Sequence, residues 1–500
     1  MNWDGSGGRK ASFYWYDLET TGTQPKWDRI VQFAAIRTDE NLEEVGEQSS
    51  FYIKLPMDVL PDPGACLVTG LTPEVINAQG LEEMRGVDQI NSAFSVPQTC
   101  VAGYNSLRFD DEFIRYTFYR NFLDPYAREW QNRNSRWDII DLVRATAALR
   151  PQGINWPGAE DARTGETVTS FRLEELSIAN DLEHSSAHEA LSDVRATIQL
   201  ARLIKQNQPK LFEYYLGLRN KRTVLELLQP FGEKVYMHVS GMYSRVRHSI
   251  APVMSICAGG DANSVVVLDL NSDFQMLEKA SLEELKTLLF TSHEGERPGL
   301  KEIKVNRCPF IAPANVMRKE DQERLEIDMD AAEQLRQHIQ NRSELKEKIA
   351  LIYQDREFAP ERDVEAQLYE GGFLNNQDKA SCHRVWEILQ AEPKQRGGID
   401  TALASIRFSD ERMVKLLIHL RARREFDALD KDDRAYWVEY VQKKLGVGED
   451  EGSSKNGALS LNEYVAQIGQ LSNDEHQNIK TSLSAHGQSV DKWLVGLNFQ

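Results

Sequence analysis

The run SFYWYDLETTG at 12–22 is aromatic and β-branched and ends in Thr-Thr-Gly, which predicts a strand entering a turn. IVQFAAIRTDENL and SSFYIKLP predict two more strands, the first closing on a polar turn at 39–41, and TCVAGYNS predicts a fourth. DDEFIRYTFYRNF follows as an amphipathic helix, and SRWDIIDLVRATAAL reads as helical throughout. In HEALSDVRATIQLARLIKQ, Leu191, Val194, Ile198 and Ala201 recur at helical spacing. Antiparallel-looking strands followed by alternating helices and a further strand indicate an α/β domain of about 200 residues.

The pattern changes near Gln208. YMHVSGMYS, APVMSICA, SVVVLDL and KEIKVNRCPFIAP predict short strands between Gly and Asn turns, with helices at 281–290 and 319–355. From about 363 the chain reads as helical almost throughout, broken by polar linkers at 393–399 and 447–458. These changes divide the chain into units at 10–207, 208–357 and 360–498. At 500 residues it is too long for one core, so roughly two or three domains are expected. There is no internal repeat and no heptad pattern.

Composition excludes several classes. No apolar run approaches the roughly 20 residues needed to cross a bilayer, and MNWDGSGGRKAS lacks a signal core, so a cytoplasmic protein with no membrane partner is expected. Five scattered cysteines without CxxC spacing argue against a disulfide framework and a structural zinc site. The net charge of −18 is a bulk property, whereas nucleic-acid binding depends on local clusters. Residues 101–150 carry eight arginines and no lysine, interleaved with Phe109, Tyr116, Tyr126, Trp130 and Trp137. That run predicts a basic aromatic groove on an acidic body.

Asp17 and Glu19 stand two apart on a strand and so share a face. Two adjacent anions call for a cation, and hard ions such as Mg²⁺ prefer oxygen ligands; solvated acids on an edge strand are the bland alternative. Asp110, Asp111 and Glu112 open a helix, where acids favour the positive end of the dipole, and Asp110 is the one assigned to the site. His188 and Asp193 are five apart, which places His188 in the approach or first turn and Asp193 one turn inside. Four carboxylates can hold two Mg²⁺ ions about 3.5–4 Å apart around a phosphate, with His188 accepting the proton of the attacking water.

DLETTG, the Asp110 segment and HEALSD resemble the three exonuclease motifs of the DEDDh superfamily, whose fold is ribonuclease H-like. NSLRFDDEF, YRNFLDPYAREW, NSRWDIIDLVRA, ALRPQGINWP, SFRLEEL, HVSGMYS, VNRCPFIAPAN and VEAQLY resemble the bacterial exonuclease I family over nearly the whole chain. The resemblance implies an α/β nuclease domain, an SH3-like β domain and an α-helical C-terminal domain. It implies processive 3′→5′ digestion of single-stranded DNA to 5′-mononucleotides, in DNA repair and recombination; a clamp formed by three domains needs no second subunit, so a monomer is expected. The metal ligands would be Asp17, Glu19, Asp110 and Asp193, holding two Mg²⁺ with Mn²⁺ as a substitute, and His188 the general base.

Arg172, with Glu19, would contact the terminal nucleotide; a surface ion pair with Glu174 or Glu175 is the alternative for Arg172. The DNA path would run along Arg115, Tyr126, Trp130, Arg144 and Lys221. Arg150, Tyr214 and Arg318 would take the acidic C-terminal tail of single-stranded DNA-binding protein. The loop at 158–170 is longer than the family pattern, and the last 60 or so residues match it poorly. An RNA 3′-end exonuclease and a non-catalytic single-strand binder remain as alternatives.

Overall fold

The computed structural model describes residues 11–161, 165–182, 189–291, 297–354, 360–391, 396–447, 457–471 and 476–497. Its first sheet comprises β1 (Ser12–Thr20), β2 (Ile30–Thr38), β3 (Ser49–Tyr52), β4 (Thr99–Gly103) and β5 (Ser135–Asp138), in the order β3-β2-β1-β4-β5. β1 pairs antiparallel with β2 and parallel with β4, so β1 and β4 end at the same edge of the sheet.

Strand periodicity sorts the side chains of β1. Tyr14, Tyr16 and Leu18 pack on one face with Phe94, Phe113 and Phe118. Phe13 and Trp15 pack on the other with Trp137, Val194 and Ile198. Asp17 and Glu19 share the parity of Trp15, and they reach the sheet's edge on the face that the helix Ala190–Asn207 covers.

Three helices unread in the sequence, α1 (Pro63–Thr69), α2 (Pro73–Gln79) and α3 (Glu83–Phe94), connect β3 to β4. Proline opens the first two, and Asp62 and Thr72 cap them by accepting from the Ala65 and Val75 amides. α4 (Asp110–Arg120) follows β4. SRWD, expected as helix, is instead β5: it pairs in parallel with β4 and buries Trp137 completely. Sheet pairing overrides the helical reading until Asp138, whose carboxylate accepts from the amides of Asn105, Leu107 and Ile140 and starts α5 (Ile140–Leu149). α6 (Leu173–Ala179) and α7 (Ala190–Asn207) complete this unit.

The second unit enters through two helices, α8 (Pro209–Gly217) and α9 (Lys221–Leu228), rather than directly as strands. Five strands between Tyr236–Val239 and Ile311–Pro313 then form a second antiparallel sheet. The helices Leu282–Phe290, Met329–Gln340 and Ser343–Gln354 cover one side of it.

The third unit is helical. Val385, Trp386, Leu416 and Leu417 join the core beneath α4, and Trp437, Tyr464 and Leu483 close over Leu60 and Cys66. Within the expected linker at 393–399, residues from Arg396 onward belong to the helix Arg396–Ala404, because Ile399 and Leu403 pack into that same core. A mixed α/β unit, a β-rich unit and a helical unit thus follow in the expected order. All five cysteines are free, and among the described residues no helix is long and apolar enough to cross a membrane.

Candidate active site

The edge where β1 ends collects carboxylates from three distant stretches. Asp17, Glu19 and Asp193 each offer an oxygen, and these oxygens all lie within 4.8 Å of one another. Asp193 arrives because α7 packs across β1 and β2 with its first turn over the strand's end. Asp110 arrives from the first turn of α4, beyond the parallel strand β4, and is only 4% exposed.

Electrostatics single out this group. Burial, followed by Asp110, Glu19 and Asp193, pushes Asp17 well above the usual carboxylate range. Burial, then Asp193 and Asp110, pushes Glu19 up to about 8. Burial is again the main cause of the rise at Asp110, with Asp138 and Asp111 adding to it. Buried anions that raise one another's pKa form a site for hard cations.

Asp111 has the opposite environment. It is 1% exposed and ion-paired with Arg128 and Arg136, with Arg115 at 3.5 Å. Burial opposes its ionisation, but those arginines outweigh it and hold the carboxyl well below its ordinary range. The three consecutive acids therefore divide, with Asp110 facing the cluster and Asp111 anchored behind it. His188 lies outside the described residues, and Glu189 is the exposed residue that precedes α7.

The arginine-rich run divides in the same way. Arg115, Arg120, Arg128 and Arg136 are buried, because they neutralise Asp111, Glu112 and Glu129 or bind the Pro25 and Lys26 carbonyls. Half of the expected basic groove is thus internal framework. Arg115 stacks 5.4 Å from the Tyr126 ring while pairing with Glu129 and Glu112.

Tyr126, Trp130 and Lys221 line one cleft of about 1160 Å³, which also takes in Arg133, Arg219 and Phe373. Trp130 is 65% and Phe373 86% exposed, so both rings are available to a ligand. Neither the positive-φ glycines Gly371 and Gly372 nor Phe373 was singled out in the sequence, although the Gly-Gly-Phe string marks a turn presenting an aromatic.

Arg172 precedes α6 with its side chain 81% exposed, and pairs with Glu175 at 3.4 Å. Arg144 pairs with Asp141 at 2.8 Å and lies 5.9 Å from the ring of Phe171, beside Arg172. Arg150 lies 3.6 Å from Asp321 and donates to the Val316 carbonyl. Burial, then the charge of Arg318, lowers the Arg150 pKa, which sets the two cations near each other. Tyr214 donates to the Ile311 carbonyl, so Tyr214 and Arg150 each meet the stretch 311–321 that carries Arg318.

Family models match the chain at 14–201 (exonuclease), 219–355 (exonuclease I SH3-like domain) and 362–489 (exonuclease I C-terminal domain). The exodeoxyribonuclease I of Escherichia coli K12 is 40% identical over 440 residues, covering 87% of this chain and 90% of that protein. The Haemophilus influenzae protein is 41% identical over 442 residues, with the same coverages of 87% and 90%. E. coli exonuclease I in complex with a dA16 oligonucleotide superposes with a TM-score of 0.86 at 37% identity, over 96% of this chain and 100% of that one. A zinc-ion-bound form of the E. coli exonuclease–ssDNA complex gives 0.83, and an SSB/exonuclease I complex with the inhibitor CFAM gives 0.81; each is 36% identical over 98% of this chain and 100% of that one. The chain belongs to the exonuclease I family.

Proposed function

We propose that this exonuclease removes 5′-mononucleotides processively from the 3′ end of single-stranded DNA, using two divalent ions held by Asp17, Glu19, Asp110 and Asp193. The observation that carries the reading is the half-buried carboxylate cluster, in a chain that also has a cleft lined by exposed aromatic rings and cations. An all-oxygen donor set whose members push one another's pKa upward suits Mg²⁺, with Mn²⁺ able to substitute. The zinc-bound form of the E. coli enzyme is consistent with a metal site in this family. Such ions supply Lewis-acid stabilisation of charge at the scissile phosphate and lower the pKa of an attacking water.

The chain's own residues do the rest. His188 is the base that takes the proton from the water, a role suited to a group with a reference pKa of about 6.5. Arg172, whose side chain is exposed, pairs with the phosphate of the terminal nucleotide while Glu19 faces its sugar end. Trp130 and Tyr126 stack bases without sequence preference, and Arg144 and Lys221 follow the backbone, whereas Arg115, expected on that path, is buried against Glu112 and Glu129 and braces the wall beneath Tyr126. Single-stranded DNA is favoured over RNA because the relatives that match nearly the whole chain are exodeoxyribonucleases, and four of the matching structures hold DNA. Arg150 and Tyr214 each meet the stretch that carries Arg318, and this, with an SSB complex known for a relative, supports docking of the acidic tail of single-stranded DNA-binding protein there. The working units are taken as 10–207, 208–357 and 360–498, acting as a cytoplasmic monomer in repair and recombination.

The deciding experiment follows a 5′-labelled single-stranded oligonucleotide with and without Mg²⁺, beside its duplex and RNA equivalents. A Mg²⁺-dependent ladder shortening from the 3′ end on single-stranded DNA alone is expected. Equal attack on RNA overturns the substrate assignment, and no cleavage of any strand overturns the enzyme reading.

A second expectation concerns the cleft. Trp130→Ala weakens single-stranded DNA binding by about 1–3 kcal/mol, the worth of one stacked base. Its melting temperature stays at the wild-type value, because the exposed ring contributes little to the core. Unchanged affinity by fluorescence anisotropy removes Trp130 from the DNA path.

A further inference from the structure

The first turn of α4 carries Asp110, Asp111 and Glu112 in succession, and each is held from a different direction. Asp110 faces the carboxylate cluster, while Asp111 is clamped behind it by Arg128 and Arg136. Glu112 receives three groups: Arg115 of the same helix at 3.0 Å, Arg307 of the second unit at 2.6 Å, and the Tyr369 hydroxyl from the segment Val364–Tyr369 that opens the third unit.

The second nitrogen of Arg136 extends the web. It lies 2.7 Å from Glu129 and donates to the Asn306 carbonyl at 3.1 Å. Glu129, Arg136 and Asn306 all line the cleft, as does Leu368 beside Tyr369. The turn that presents Asp110 is therefore fastened by both accessory units at the wall of the cleft. A carboxylate cluster needs its ligands fixed within about 0.5 Å, and the groups that fix them carry much of its affinity.

We propose that Arg307 and Tyr369 are positioning residues that make the placement of Asp110 depend on both accessory units being seated against α4. The inference rests on the reading of the cluster as a metal site. Asp111 with its arginines supplies a fixed anchor inside the nuclease unit, and Glu112 is the handle through which the other two units bear on the same turn.

The two contacts can be removed gently. Tyr369→Phe keeps the edge-on packing against Tyr116, at 5.9 Å between centroids, and loses only the hydroxyl. Arg307 has a 36% exposed side chain, so Arg307→Ala leaves Glu112 with Arg115 and Tyr369, and Arg307→Lys returns the charge. The test measures Mn²⁺ binding to the full-length protein by electron paramagnetic resonance, with single-turnover hydrolysis of an oligonucleotide, its KM and the melting temperature. Arg307→Ala and Tyr369→Phe are expected to bind Mn²⁺ ~10-fold more weakly and to slow the chemical step by a similar factor. KM and melting temperature stay at wild-type values, and Arg307→Lys recovers part of the Mn²⁺ affinity.

Wild-type Mn²⁺ binding and chemistry in both variants overturn the proposal alone. Losses that merely track a lowered melting temperature also overturn it, because they make the contacts structural. A wild-type protein that binds no Mn²⁺ removes the metal reading, and this inference with it.

Discussion

Asp17→Asn protein hydrolyses single-stranded DNA at least ~10³-fold more slowly than wild type, the rate equivalent of several kcal/mol of lost electrostatic stabilisation. Asp17 is the member of the cluster coupled to all the others: Asp110, Glu19 and Asp193 each raise its pKa once burial has done so. An amide of the same shape leaves the packing intact but removes the charge and a strong oxygen donor. DNA binding in EDTA survives, because the cleft residues Tyr126, Trp130 and Lys221 are untouched. Stability provides the internal control. Carboxylates with raised pKa values disfavour the metal-free fold increasingly as pH climbs from the ordinary value of 4.5 for glutamate through about 8 for Glu19. The variant lacks one of these charges, so its melting temperature falls less steeply than that of wild type across that window. Single-turnover rates, anisotropy and melting curves on one preparation decide the matter. Wild-type rates would remove Asp17 from the site, and inactivity with a collapsed melting temperature would make its role structural.

What could be read from the chain alone follows from how local each signal is. Asp17 and Glu19 were legible because strand periodicity places them on one face without knowledge of any partner. The structure turns Asp110 toward the carboxylates and Asp111 away from them, and the physical reason lies with Arg128 and Arg136, which are 17 and 25 residues from Asp111. The segment Ser135–Asp138 was misread because its strand character comes from pairing with β4, not from its own pattern. α1 and α2 carried legible signals that went unused: a proline at the first turn, preceded by Asp62 and Thr72. The arginines at 101–150 read as a surface feature, because sequence shows a cation but not the buried carboxylate that neutralises it. The same blindness hid the charged junction between the first and third units, whose members are scattered from Arg29 to Lys444.

That junction carries the largest expected effect on stability: Glu365→Ala destabilises the protein by about 3–5 kcal/mol, the usual result of breaking a buried ion pair from one side. Glu365 is 1% exposed and pairs with Arg29 of the first unit and with Arg423 and Lys444 of the third, while His419 lies 2.9 Å away. Asp58 of the first unit, also 1% exposed, meets the same Arg423 and Lys444 at 2.6 and 2.8 Å. Glu365 and Asp58 thus pair with three cations between them, and deleting Glu365 leaves buried positive charge that has lost its closest shared counter-ion. Burial alone would raise the Glu365 pKa, but Arg423, Lys444 and Arg29 outweigh it and hold the carboxyl well below its ordinary value of 4.5. A depressed carboxylate pKa contributes stability that is present above that ordinary value and lost as pH falls through the folded-state value. Wild type therefore loses stability on acidification below about pH 4.5 more steeply than Glu365→Gln, which has no charge there to lose. Urea titrations at neutral pH and at pH 4, followed by tryptophan fluorescence, test both statements, since Trp437 lies 5.3 Å from the Arg423 guanidinium. A Glu365→Ala protein within about 0.5 kcal/mol of wild type would place it among ordinary surface substitutions and refute the junction's role in holding the helical unit on the nuclease.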